Sequence, residues 1–195
     1  MRLLTTLVVT LWSLFATGAT ASAETYVHQD TSGDVLRQDS QSCGDGCQGT
    51  SFPRADILSS RASYRAKGLT LSTVLAQAPK VGQVEWRVKT PSLEIAFEIY
   101  EPKSGPLECL VVFATDDSQL PAACTGFRVG VTREGRVFRA FIPSRYLKSA
   151  PSVRVGIGST MSSLRGLFFD DGLTTRVRHA ANPVLLHLSP TIRWN

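Results

Sequence analysis

The chain has 195 residues, 21 Lys+Arg against 16 Asp+Glu and a formal net charge of +5, a length suited to one ordinary domain with a full hydrophobic core. Its arginines are scattered rather than gathered into basic runs, which argues against the concentrated patch of a nucleic-acid binder. There is neither a Gly-x-Ser-x-Gly elbow nor a His-Glu-x-x-His motif, so the common hydrolytic signatures are excluded as well.

Residues 1–23 carry a single charge, Arg2, then an apolar run broken only by Thr and Ser, and end in Ala21-Ser22-Ala23. A basic start, an apolar stretch and a small-residue end are the parts of a cleavable secretory signal, and this stretch is too short to span a bilayer comfortably. The expectation is cleavage after Ala23 and a secreted or extracytoplasmic product with no transmembrane segment. One domain over residues 24–179 should follow, with residues 180–195 as a C-terminal tail or extra strand.

Residues 25–53 are rich in Gly, Ser, Asp and Gln, show little periodicity and read as an ordered loop. Beyond them, apolar and polar residues alternate in short runs. Residues 57–64 and 69–75 are two such runs, joined by a Lys67-Gly68 turn. Residues 84–88 and 93–100 alternate again on either side of Pro91, and residues 107–115 are apolar enough for a buried central strand. Residues 127–131 and 137–142 flank a hairpin turn at Arg133-Glu134-Gly135-Arg136. Residues 153–157, 164–169 and 173–177 complete the set, the last two joined across Asp170-Asp171-Gly172 because Asp-Gly favours a tight hairpin turn. About ten short strands with turns every ~8–12 residues predict an all-β antiparallel sandwich, immunoglobulin-like or jelly-roll-like.

Cys43, Cys47, Cys109 and Cys124 all follow the leader, and an even count in an oxidising compartment reads as disulfides. Of the alternative pairings, the sequence-local set Cys43–Cys47 and Cys109–Cys124 is favoured. The spacing, with no histidine near either pair, does not make a recognised tetrahedral zinc set.

Asp30, Asp34 and Asp56 are the candidate metal ligands. The run Asp30-Thr31-Ser32-Gly33-Asp34 followed by Ala55-Asp56-Ile57 offers carboxylates around a turn-forming glycine, and Ca²⁺ takes roughly six to eight hard oxygens. Asp39 and Asp45 lie between them, and the spacing is not that of an EF-hand loop. The competing reading is turn chemistry, with Asp30 and Asp34 in Asx turns and Asp56 satisfying backbone donors at a strand start.

These two acidic segments, the strand ending at Tyr64 and the hairpin into Leu69-Thr70-Leu71 resemble the opening of DOMON-like and family-nine carbohydrate-binding-module-like sandwiches of exported bacterial proteins. The later run from Phe138 through Ile142-Pro143-Ser144 to Leu147, then Val153-Arg154-Val155, is similar to their strand, Ile-Pro, turn, Leu, strand segment. The resemblance implies a sandwich with a structural Ca²⁺ held at Asp30, Asp34 and Asp56. The Cys43-Gly44-Asp45-Gly46-Cys47 insertion departs from that pattern.

Other chemistry is weaker. Trp86 alternates with Val84 and Val88, which assigns it to the core rather than to a sugar platform. Some DOMON relatives bind haem through Met and His, but Met161 sits in a polar Ser/Thr stretch read as a turn, and it and His28, His179 and His187 read as surface residues. Asp116-Asp117 and Asp170-Asp171 read as solvated turns rather than acid/base pairs. Arg136, Arg139, Arg154, Arg165, Arg176 and Arg178 alternate with apolar residues and are expected on the solvent face of one sheet, able to meet an acidic polymer. The expected function is an exported, non-catalytic binding module with a structural calcium, its ligand a glycan or other envelope component. The alternative is a secreted protein-interaction or inhibitor domain on a disulfide-stapled scaffold.

Overall fold

A computed structural model describes residues 24–38, 49–79, 82–101, 107–113, 122–132, 135–164, 166–174 and 186–194. Two antiparallel sheets pack face to face. The smaller sheet runs β1-β4-β5-β11-β10, from β1 (Glu24–Gln29), β4 (Ile57–Arg65), β5 (Gly68–Leu75), β11 (Val137–Pro143) and β10 (Arg128–Val131). The larger runs β3-β2-β13-β12-β6-β7-β8-β9, with β14 (Ile192–Arg193) added on β12. Its other members are β2 (Val35–Gln38), β3 (Gly49–Thr50), β6 (Gly82–Lys89), β7 (Glu94–Glu101), β8 (Glu108–Phe113), β9 (Ala122–Ala123), β12 (Ser152–Ser163) and β13 (Gly166–Asp171). The sequence alternation accounts for this layering. Leu69, Leu71, Thr73 and Leu75 of β5 are buried, whereas the residues between them face outward.

The core lies between the sheets. Tyr64, Trp86, Phe97 and Phe138 are fully buried there among Leu, Ile and Val side chains. Each large apolar side chain removed from water contributes about 1.5–3 kcal/mol. Trp86 is a core residue, as its alternation predicts: it stacks on Phe97 with ring centroids 5.0 Å apart, and its Nε1 donates to Thr73 Oγ1 at 3.2 Å. Tyr64 stays buried because its hydroxyl donates to the Ala150 carbonyl at 2.6 Å.

Several expectations need correcting. The segment read as a loop holds β1, β2 and β3, whose short lengths hide their period. The polar Ser/Thr run around Met161 is not a turn. It extends β12, with Met161 buried in the core and Ser159 Oγ donating to the Ala55 carbonyl. Asp170 and Asp171 do not form a hairpin loop either. Both belong to β13, and only Gly172 and Leu173 turn after them. β8 is next to an edge rather than central, with Glu108 and Leu110 exposed and Val111 buried. Arg139 and Arg154 lie on different sheets, not on one face. Arg165, Arg176, Arg178, His179 and Asp116-Asp117 lie outside the described residues.

The C-terminal segment is partly an extra strand. Where β13 stops pairing with β12, residues 186–193 take its place: Ser189 N donates to the Val155 carbonyl and Ile192 pairs with Val153. Cys109 and Cys124 form the disulfide that the local pairing predicts, whereas Cys43 and Cys47 lie outside the described residues. Among the described residues no helix is long and apolar enough to cross a membrane.

Candidate metal centre

Three turns of chain meet at one end of the sandwich. β1 pairs with β4 as far as Gln29 opposite Ser59, and the Asp30 N–H still reaches the Leu58 carbonyl at 3.1 Å. Leu58 is the extra residue of a bulge between β4 and β5, a device that bends a strand and re-aims its neighbours. The chain then reverses through Gly33, whose φ of +89° suits glycine, and brings Asp34 to the start of β2.

Asp56 fastens this reversal. Its Oδ1 accepts the Gly33 N–H at 3.1 Å and its Oδ2 accepts the Ser32 hydroxyl at 3.0 Å. The turn-chemistry reading of Asp56 is the one the geometry matches. The third carboxylate of the cluster comes instead from Asp170, on the inner face of β13 opposite Ser159, where its Oδ2 accepts the Ile57 N–H at 2.7 Å.

Asp30, Asp34 and Asp170 each place a carboxylate oxygen so that all lie within 4.8 Å of one another. Two of the three candidate ligands named from sequence are therefore brought together, Asp56 stands behind them, and Asp170 joins the cluster from β13. The missed signal was parity: Asp170 shares its face with the apolar Phe168 two residues earlier, which turns it inward. The favourable Asp-Gly turn pattern concealed it.

The electrostatics are those of an uncompensated acidic site. Both carboxylate oxygens of Asp34, and Oδ2 of Asp30, are buried without a hydrogen-bond partner among the described residues. Burial, with Asp34, Asp171 and Asp56 adding repulsion, pushes the Asp30 carboxyl up to about 7 against a stabilising Thr31 N–H bond. Burial also raises Asp34. Asp170, only 4% exposed, is pushed up to about 8, again chiefly by burial and then by Asp30, Asp34 and Asp56, despite the Ile57 N–H bond. Such a group must either keep protons or gain a cation. The donor set is all carboxylate oxygen, which suits a hard ion such as Ca²⁺ rather than a thiolate- or imidazole-preferring metal.

A second acidic group occupies the opposite, outward face of the larger sheet. Glu85 pairs across strands with Glu98, its Oε1 accepts the Thr160 hydroxyl at 3.2 Å, and burial raises its carboxyl to about 7. Next to it, Asp171 Oδ2 accepts the His187 N–H at 3.0 Å and lies 2.9 Å from His187 Nδ1. His28 sits on the inner side of β1, far from this pair in topology.

Comparison with protein-family models, curated proteins and solved structures finds no match to this chain.

Proposed function

We propose that this chain is a non-catalytic extracytoplasmic binding module whose sandwich is fastened at one end by a structural Ca²⁺. Asp30, Asp34 and Asp170 would hold the ion and Asp56 would hold the turn that aims Asp34. The observation that carries this reading is the buried, unpartnered carboxylate oxygens of Asp30 and Asp34 beside Asp170. Leaving such oxygens unpaired is costly, and a divalent cation satisfies all of them at once. The resemblance of the Asp30–Asp34 and Asp56 segments to DOMON-like and family-nine carbohydrate-binding-module-like sandwiches favours the same ion. It also favours a glycan or another envelope component as ligand. The Cys109–Cys124 disulfide supports an oxidising compartment.

The test is a thermal melt of the oxidised protein in calcium and in excess chelator, repeated for Asp34→Ala. Binding at a hundredfold excess over Kd should stabilise by about 2.7 kcal/mol. The calcium shift should vanish in the variant. Superimposed curves for the parent would leave the cluster as turn chemistry and overturn the reading.

A further inference from the structure

The outward face of the smaller sheet differs in charge from the larger sheet. Among β1, β4, β5, β10 and β11 the only carboxylate is Glu24, and it accepts the Arg193 N–H. The larger sheet, by contrast, carries Glu85, Glu94, Glu98 and Glu101 on β6 and β7 alone. Four arginines project from the smaller sheet. Arg61, Arg65, Arg128 and Arg139 are all exposed, and none makes an ion pair among the described residues.

Strand register orders them. One row crosses the sheet as Gly130, Arg139, Ser72, Arg61 and Val27, and the next as Arg128, Phe141, Thr70, Ser63 and Thr25. Arg139 and Arg61 are two strands apart, about 10 Å by interstrand spacing. Ser72 lies between them, and Thr70, Ser63 and Thr25 follow in the next row; each hydroxyl can both donate and accept. The Arg128 guanidinium lies 4.4 Å from the Phe141 ring centroid, which steadies the guanidinium and covers the ring.

From this we infer that the outward face of the smaller sheet binds a uronate-type acidic polysaccharide. The inference rests on the binding-module reading and gives that module a face and a ligand class. Guanidinium groups pair well with carboxylates, and the intervening hydroxyls match the sugar hydroxyls between successive carboxylates. Nucleic acid fits less well. Its charges are much denser than these well-spaced arginines, and Phe141, being covered, offers no bare platform for a base.

The experiment uses hyaluronate, a soluble polymer whose carboxylates alternate with neutral sugars, with dextran as the neutral comparison. Duplex DNA and phosphatidylglycerol vesicles serve as phosphate-bearing rivals. The oxidised protein should bind hyaluronate and not dextran, more weakly as salt rises. The double variant Arg61→Ser/Arg139→Ser should bind about tenfold more weakly, while Lys89→Ser on the other sheet should bind as the parent does. Because both arginines are exposed and unpaired, the double variant should keep the parent melting curve, which separates lost binding from lost folding.

Equal or tighter binding to DNA or to the vesicles would overturn the inference, as would unchanged hyaluronate binding in the double variant. Self-association abolished by the same variant would assign the face to the acidic sheet of a second copy, and that too would overturn it. The calcium reading fails separately. It would show as superimposed parent melts with and without chelator while hyaluronate binding persists.

Discussion

The Asp170 carboxylate accepts the backbone N–H of Ile57 at 2.7 Å across 113 positions of sequence, tying β13 of the larger sheet to the start of β4 in the smaller one. Two substitutions separate this bond from the charge. Asp170→Ala leaves a buried N–H without its acceptor and should cost about 1–3 kcal/mol in chelator, with the calcium shift lost in addition when calcium is present. Asp170→Asn keeps an acceptor oxygen and removes the charge. Since the metal-free carboxyl, raised to about 8, retains its proton at neutral pH, the Asn variant in chelator should melt close to the parent. It should nevertheless lose the calcium shift. Melting curves of both variants with and without chelator check this. If Asn were as damaging as Ala in chelator, the acceptor oxygen for the Ile57 N–H would not be what the position contributes, and the separation of bond from charge would fail.

Glu85 supplies a pH dependence outside the Asp30–Asp34–Asp170 cluster. It is 3% exposed, faces Glu98 and Asp171, and is held up to about 7, chiefly by burial. Because the folded value lies above the ordinary 4.5, its protonated form contributes stability that is complete below that value and is lost as pH rises through about 7. Glu85→Gln preserves an oxygen for the Thr160 hydroxyl and cannot ionise. The variant should match the parent near pH 5 and exceed it above pH 8, by on the order of 2–3 kcal/mol. Denaturant melts at several pH values measure the difference. A constant offset across that range would show that Glu85 does not titrate as described.

How much of this was legible follows from where side-chain period survives. β4, β5, β6, β7 and β11 have clear alternation and a full inner face, so the sequence period alone places Trp86, Leu71 and Phe138 inside. β2 and β3 are too short to show a period, and β12 hides its inner face behind small polar residues such as Ser159, whose hydroxyl donates to the distant Ala55 carbonyl. At the acidic cluster, Asp30 and Asp34 were visible because one turn holds both. Asp170 arrives from the other sheet through tertiary packing, and local sequence carries no record of that neighbour.

The Cys109–Cys124 disulfide closes 15 positions of chain at the β8–β9 end of the larger sheet. Restricting the unfolded chain over such a loop is worth about 3 kcal/mol on the chain-entropy model. The Cys109→Ser/Cys124→Ser pair should therefore lower stability by roughly that amount. The proposed calcium shift should survive, because the acidic cluster lies at the β1–β2–β13 end, several strands away. Chemical denaturation of the double variant in calcium and in chelator reads both effects. Loss of the calcium shift along with the disulfide would mean that the two ends of the sandwich do not behave independently.

Gly68 and Gly130 make the final contrast, because both sit in the smaller sheet and only one is required there. Gly68 closes the β4–β5 hairpin with φ +146°, and a Cβ on it would lie 2.2 Å from the Ile142 carbonyl oxygen and 3.0 Å from Pro143 Cα. That obstacle is backbone of the paired strand β11, which cannot swing aside. Gly68→Ala should cost roughly 2–4 kcal/mol from the unfavourable dihedral and the overpacking together. A Cβ on Gly130, in edge strand β10, meets nothing within 4 Å. Gly130→Ala should therefore stay within about 0.5 kcal/mol of the parent, or gain slightly through the unfolded chain. Paired denaturation curves decide it, and equal losses at the two positions would contradict the β5–β11 register from which the Gly68 clash follows.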